Sequence, residues 1–311
     1  MPMTLLEASK RHSGDVVRSG LIEVFARSNP LVQALRWMDV PGGSYHYTQE
    51  AKLSGVAFRG INSTYTESTS VVVPQTEVLR ILGGEIDVDT ALIKMHGEDI
   101  REQEEVAKTK ALGLYVAKKL IKGDSLANPL EWDGLQNRLT GSQVINCNST
   151  VTDGGDALSL ARLDEAIDAV DGATHIVTSK AIVRLLTQAA RSTGIAGFIT
   201  WEKNEFGERV GFYNDIPLLI MDYDETGARI LDFNELAGTG STASAQSLYV
   251  VNLSDGYIQG LQNGTPEVAD LGKVQDKPVY RTRFEYLAGL ATMHPRCAAR
   301  LRGIKNAAVV A

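Results

Sequence analysis

The chain has little sulfur chemistry to offer. Of 311 residues only two are cysteines, Cys147 and Cys297, far apart and without C-x-x-C spacing. A tetrahedral zinc site needs about four nitrogen or sulfur ligands, and two cysteines with five scattered histidines do not compose one. Two buried, reduced thiols are expected instead. Long apolar runs are also missing. No uncharged stretch approaches the roughly 18 residues that would cross a bilayer, so no membrane partner is expected. Met1 to Glu7 lacks the basic-then-apolar layout of a signal peptide, which points to a soluble protein assembled in a cytoplasm. Excess positive charge is missing too: 31 Lys and Arg face 38 Asp and Glu, a net charge of -7. That excludes a whole-protein basic field for nucleic acid. The remaining composition, 43% hydrophobic and 22% charged, excludes a disordered chain and fits an ordinary globular one.

Catalytic motifs are scarce as well. The sequence contains no G-x-S-x-G, no Gly-Lys-Ser/Thr phosphate loop and no H-E-x-x-H. The most tempting stretch is Leu218 to Thr226, an apolar strand followed by D-x-D-x-T at Asp222, Asp224 and Thr226. That layout matches the first motif of haloacid-dehalogenase-type phosphohydrolases, in which one Asp attacks phosphorus and the other handles the proton beside Mg²⁺. The motif sits late in the chain, and no later strand ends in the paired acids that would complete a Mg²⁺ site. Asp224-Glu225-Thr226-Gly227 is also ordinary turn chemistry. As a calcium loop it fails, because Phe233 falls at the twelfth position. Gly238 to Ala243 mimics a dinucleotide G-x-G-x-x-A, yet it runs into a strand rather than a helix, and a flexible Gly/Ser/Thr loop is the simpler reading. His175 reads as a core histidine. No catalytic, cofactor-binding or metal residue is assigned, and the chain does not read as an enzyme.

What is present is an order of elements. Val16, Val17, Leu21, Ile22, Val24 and Phe25 recur at helical spacing until Ser28-Asn29-Pro30 stops the pattern. With Leu31, Leu35, Trp37 and Met38 after it, this arm has more apolar faces than a short helix can bury alone, and is expected to lie against something else. Next comes a Tyr-, Thr- and Val-rich excursion. Tyr45 to Thr48 lie on one side, and Ser70 to Val73 with Val78 to Leu82 on the other. Between them Asn62 to Thr69 contains no aliphatic residue. A lone two-stranded ribbon has no second layer on which to bury a face, so a neighbouring subunit is expected to supply one.

Residues 97–122 predict the strongest helix, with Glu98, Asp99, Glu102, Glu104 and Glu105 first and Lys108, Lys110, Lys118, Lys119 and Lys122 later. That order complements the helix dipole. Its apolar stripe is expected at Ala107, Ala111, Leu114 and Ile121. A compact α+β segment comes next: helices over Leu158–Val170 and Ala181–Ala189, and strands at Thr174–Thr178, Ile195–Thr200, Val210–Tyr213, Pro217–Met221 and Leu248–Val251. Val279 to Leu287 then alternates Tyr280, Thr282, Phe284 and Tyr286 against Arg281, Arg283 and Glu285. Residues 273–311 hold Lys273, Lys277, Arg281, Arg283, Arg296, Arg300, Arg302 and Lys305 against Asp276 and Glu285. This basic end reads equally as a solvated face or as a surface toward nucleic acid or a partner.

That order resembles the major capsid proteins of tailed bacteriophages, with their Hong Kong 97-like α+β fold. Gly55 to Asn62 followed by Tyr65 to Thr69, Ile81 to Asp89, Ser254-Asp255-Gly256, Gly260-Leu261-Gln262, Lys277 to Arg283 and His294-Pro295-Arg296 carry the likeness. The resemblance implies an N-terminal arm at 1–40, an extended E-loop hairpin at 41–80, and a peripheral domain at 81–144 with a spine helix at 97–122. It further implies an axial domain at 145–270 and a return to the peripheral domain at 271–311. It implies a structural subunit of an icosahedral virion shell of hexamers and pentamers, enclosing double-stranded DNA contacted non-specifically. Portal, separate scaffolding and decoration proteins are its implied partners, and the host cytoplasm its site of assembly. Some members weld subunits through a Lys–Asn isopeptide bond; Lys52 is the only lysine in the hairpin region, and no sequence argument favours such a bond there. The competing reading is the phosphohydrolase using Asp222 and Asp224.

Overall fold

The computed structural model describes residues 29–96, 99–148, 152–191, 199–203, 209–238 and 240–310. The helical arm expected before Ser28 lies outside the described residues. A short helix opens the described chain: the side chain of Asn29 accepts the Leu31 N–H at 2.9 Å and Pro30 occupies the first turn of Pro30–Ala34. Leu31, Val32, Leu35 and Trp37 are buried in the chain's own core against the long helix. The expectation that this stretch leans on something else is met, for these residues, inside the same chain.

Strands β1 (Trp37–Asp39), β2 (Ser44–Lys52), β3 (Val71–Val78) and β4 (Arg80–Asp89) precede helices Thr90–His96 and Asp99–Lys122. Helix Leu135–Arg138, β5 (Val144–Asn146), helix Leu160–Asp168, β6 (His175–Thr178) and helix Lys180–Ala190 come next. After them run β7 (Ile199–Lys203), β8 (Arg209–Tyr213), β9 (Ile216–Ile220), β10 (Glu235–Leu236) and β11 (Ala243–Val251). The last four are β12 (Ile258–Gln262), β13 (Glu267–Lys273), β14 (Val279–Thr292) and β15 (Ala298–Lys305).

The strands form two body sheets and one ribbon. The first sheet runs β1-β12-β14-β13, with β4 also paired to β14, and the second runs β5-β15-β11-β6-β9-β8-β7, with β10 on β11. Among the described residues β2 and β3 pair only with each other. In β14 the expected alternation holds: Thr282, Phe284 and Tyr286 are buried, while Arg283 and Glu285 are exposed. The central strand β11 is buried on both faces. Leu248 and Val250 enter one core with helices Leu160–Asp168 and Lys180–Ala190, and Tyr249 and Val251 enter the other with the long helix.

Three sequence expectations are corrected here. The long helix buries Leu112, Val116, Ala117, Leu120 and Ile121, whereas Ala107 is exposed and Ala111 and Leu114 are half-buried. The larger side chains at fourfold spacing win because they remove more apolar area from water than alanines do. Val78 to Leu82 do not all return along the ribbon: β3 ends at Val78, Leu79 turns into the core, and β4 leaves to pair with β14. The C-terminal stretch does not rejoin one sheet either. β14 completes the first sheet, while β15, not foreseen from its Arg-interrupted pattern, lies between β5 and β11 in the second. β12, inside the segment expected to be axial, pairs with β1 and β14 in the first. At that junction Gly260 is required by close approach, since a Cβ there would sit 2.6 Å from the Trp37 ring.

Candidate assembly interface

The ribbon is anchored at its foot and bare at its tip. Tyr45, Tyr47 and Gln49 alternate inward along β2. Tyr45 and Tyr47 stack at 5.8 Å and pack on the small core of Val40, Leu79, Leu261 and Ala291. The Tyr47 hydroxyl and the Gln49 amide donate to the Thr292 carbonyl at 3.1 and 2.6 Å. Burial and the nearby Glu77 carboxylate push the Tyr47 hydroxyl above its ordinary pKa, so it stays a donor. Arg138 takes both carboxylate oxygens of Glu77 in β3. Pro74 is tolerated because β3 has only one strand beside it.

Beyond Lys52 the chain makes an 18-residue loop before β3, and every residue from 53 to 70 is exposed. The sequence marked Asn62 to Thr69 as a polar tip, and it is. It did not mark the residues before it: Val56, Phe58 and Ile61 are 98%, 107% and 97% exposed. Three large apolar side chains bare to water within six positions form a surface that a monomer has no use for. Arg59 lies 5.2 Å from the Tyr65 ring and donates to the Ser63 carbonyl at 3.1 Å, which folds the tip on itself. The signal was legible in Gly55 to Asn62, where apolar residues stand between glycines with no strand periodicity. The Lys52 side chain, weighed above for an isopeptide bond, lies outside the described residues.

The phosphohydrolase reading is not supported by the geometry of its two aspartates. Asp224 is buried and accepts from Lys118 Nζ at 2.8 Å, from Thr226 N and Oγ1 at 2.9 and 2.7 Å, and from Ala228 N at 2.9 Å. Burial raises its pKa, and these donors more than reverse that, holding it at about 2. A carboxylate held by its own turn and a helix lysine, and this acidic, is a poor proton acceptor and a poor nucleophile. Asp222 pairs with Lys180 across the end of the sheet. Among the described residues no cluster of three His, Cys, Asp or Glu could hold a metal ion.

The dinucleotide-like loop is pinned: Asp153 accepts from Thr242 N and Oγ1 at 2.8 and 3.0 Å and from Ser241 Oγ at 3.3 Å. The flexible loop expected there is thus tied to a neighbouring turn, and it enters β11. Both cysteines are buried and free, and burial lifts the Cys297 thiol to about 11. His175 is half-buried in β6, its pKa lowered by desolvation.

The basic end is largely spent inside the chain. Arg281 and Arg283 pair with Asp87 and Glu85 of β4, and Arg300 with buried Glu235. Arg302 donates to Asn146, and Arg296 donates to the carbonyls of Asp168 and Ala169 at the end of their helix. Arg281, Arg283 and Arg300 are matched to carboxylates, and Arg296 and Arg302 are held by neutral oxygens, so five of the eight basic side chains are tied to the chain's own body. Among the described residues no helix is long and apolar enough to cross a membrane.

Two body sheets, a long helix across one of them and a bare ribbon define the class of fold: α+β of the Hong Kong 97-like kind. Residues 13–161 match the family model of major capsid protein GP7. The chain resembles the holo-SrpI encapsulin complex of Synechococcus elongatus PCC 7942 at a TM-score of 0.68 and 15% identity, over 92% of this chain and 91% of that one. It resembles the capsid of an empty GTA particle at 0.61 and 14%, over 89% and 90%. A chain from Microbacterium phage Oxtober96 matches at 0.61 and 14%, over 88% and 90%. No curated protein matches the sequence.

Proposed function

We propose that this chain is the major subunit of a tailed-phage head: it self-assembles through hexamers and pentamers into an icosahedral shell around double-stranded DNA. The carrying observation is the pairing of a Hong Kong 97-like fold with a ribbon whose Val56, Phe58 and Ile61 find no cover among the described residues. Residues 1–40 then act as an arm, 41–80 as the hairpin laid over a neighbour, and 81–144 with 258–292 as the peripheral body. Residues 145–257 with β15 form the axial body. Portal, scaffolding and decoration proteins would be its partners, and the host cytoplasm the place of assembly. DNA contact would be weak and non-specific, because Arg281, Arg283 and Arg300 of the basic end already pair with carboxylates. The role is structural rather than catalytic.

The test is electron microscopy and light scattering of the expressed protein, alone and with the products of neighbouring genes. Closed shells are expected, with nuclease-protected DNA when packaging proteins are present. A stable monomer under every salt condition, scaffolding included, overturns the proposal. The encapsulin likeness favours a second reading, a shell of encapsulin type; closed particles that never protect DNA from nuclease would support it.

A further inference from the structure

The turn after β12 carries the chain's only Asn-Gly pair, Asn263-Gly264, and both residues are exposed. Gly264 stands in the left-handed region at φ +76°, and nothing lies within 4 Å of where its Cβ would be. The turn therefore needs glycine for its backbone and leaves the space around it open. The Asn263 N–H donates to the Leu287 carbonyl at 3.2 Å, and its side-chain amide donates to the Gly42 carbonyl at 3.4 Å. The Gly264 N–H has no hydrogen-bond partner among the described residues. Other asparagines differ at that atom. Asn29 and Asn128 precede prolines, which have no N–H. After Asn62, Asn146, Asn252 and Asn306 the next N–H is tied, to Gly60 O, Arg302 O, Thr174 Oγ1 and Lys305 O respectively.

We propose that Asn263 is a site of spontaneous modification, where the chain turns its own amide into a carboxylate, and that the product unclasps the root of the ribbon. The Gly264 nitrogen, deprotonated by solvent base, attacks Cγ of Asn263. The N–Cγ bond closes a succinimide ring, the Cγ–Nδ2 bond breaks, and Nδ2 leaves as ammonia with a proton from solvent. Water then opens the ring. Addition at Cγ gives aspartate; addition at the main-chain carbon gives isoaspartate, with the chain running on through the side chain. A Cβ on residue 264 would crowd the closure, and glycine has none. The reaction needs only this turn and water, so it proceeds in the free chain before any shell forms. Its product falls where the ribbon begins. Gly42 lies in the turn from β1 into β2, and Gly43 beside it accepts from the Leu79 N–H at 2.9 Å where the ribbon ends. A carboxylate at 263 would face the Gly42 carbonyl with an acceptor in place of a donor, so the clasp is lost and two oxygens oppose each other. The adjacent Gln262 amide offers no replacement there, since it already donates to Asp39 at 2.8 Å.

Peptide mapping by mass spectrometry of the wild-type chain, sampled during incubation in buffer, tests the site. Residue 263 should gain the mass of an NH₂-to-OH exchange, as a mixture of aspartate and isoaspartate, at least tenfold faster than the exposed Asn62, Asn214 and Asn306. The rate should rise from mildly acidic to mildly alkaline buffer, because the Gly264 nitrogen must lose its proton. Asn263→Gln should abolish the change at this position, since its longer side chain would have to close a larger ring. Amide exchange tests the consequence. In Asn263→Asp the Leu79 N–H should exchange faster than in wild type, while the β11 amides keep their protection. Conversion at Asn263 no faster than at the other three asparagines would overturn the site. Unchanged exchange at Leu79 in Asn263→Asp would overturn the unclasping.

Discussion

Arg138 grips Glu77 through both guanidinium ends, with Nη2 2.7 Å from Oε2, and so ties the ribbon to a helix 61 residues further along the chain. Both side chains are mostly buried. A paired carboxylate in that setting is costly to disturb, because removing one charge leaves the other desolvated and alone.

Glu77→Gln should therefore cost about 1–3 kcal/mol, the range for losing a charged hydrogen bond. The loss should be local. Amide exchange in β2 and β3 should accelerate while β11 amides keep their protection, since β11 belongs to the second sheet and is buried on both faces. Unchanged exchange in the ribbon would mean that Tyr47 and Gln49, donating to Thr292, hold the foot without Arg138.

Asp222 and Asp224 separate cleanly by substitution. Asp222→Asn loses a partly exposed pair with Lys180 and should change stability by less than about 1 kcal/mol, leaving assembly intact. Asp224→Asn strips a buried turn of its charge and should cost about 1–3 kcal/mol. The pH dependence has a definite direction. Asp224 is more acidic folded, about 2, than unfolded, about 4, so its contribution is full above pH 4 and is lost as pH falls through 2. Acid unfolding of wild type and Asp224→Asn should converge in that window. A magnesium-dependent phosphatase activity that disappears in Asp222→Asn would restore the enzymatic reading.

Much of the fold was legible because periodicity reports burial. The alternation around Phe284 has one clear apolar face, the charge order before Gly123 marks the span of a helix, and the run Ile176-Val177 marks a strand buried on both sides. What the sequence concealed has physical causes. Ala107 and Ala111 share helical spacing with Leu114, but spacing does not say which of two adjacent stripes a sheet will cover, and Leu112 with Val116 carries more buried area. β15 was hidden because Arg300 and Arg302 look exposed until Glu235 and Asn146 supply their partners. Leu79 looks like one more strand residue, although it is where the chain leaves the ribbon for the body. The bare tip was hidden for a different reason: a sequence shows that Phe58 is apolar, and only the structure shows that nothing among the described residues covers it.

Gly260→Ala tests the parallel pairing of β1 and β12. The added methyl would meet the Trp37 ring at 2.6 Å, and Trp37 is buried beside Tyr286 at a ring separation of 5.9 Å. The indole has little room to retreat, so overpacking should cost about 1–3 kcal/mol. Thermal denaturation of the unassembled chain measures it. A variant as stable as wild type would show that β1 can shift without loss.

The ribbon's tip should be dispensable to the subunit and indispensable to the shell. Residues 53 to 70 are exposed throughout, so replacing them with a short Gly-Ser turn removes almost no buried apolar area. Shortening the loop also lowers the entropy of closing it, a change of only about 1 kcal/mol for loops of this length. The variant should thus unfold within a few degrees of wild type, with Tyr45, Tyr47 and the Arg138–Glu77 pair still seating the remaining strands. Assembly should fail, since the ordering free energy of the tip must come from contact with another subunit. Thermal unfolding of the soluble variant, paired with electron microscopy of assembly mixtures, reads both halves. Outright unfolding would mean that the tip is part of the subunit's own core. Shells of normal yield and size would mean that the ribbon is not the clamp between neighbours.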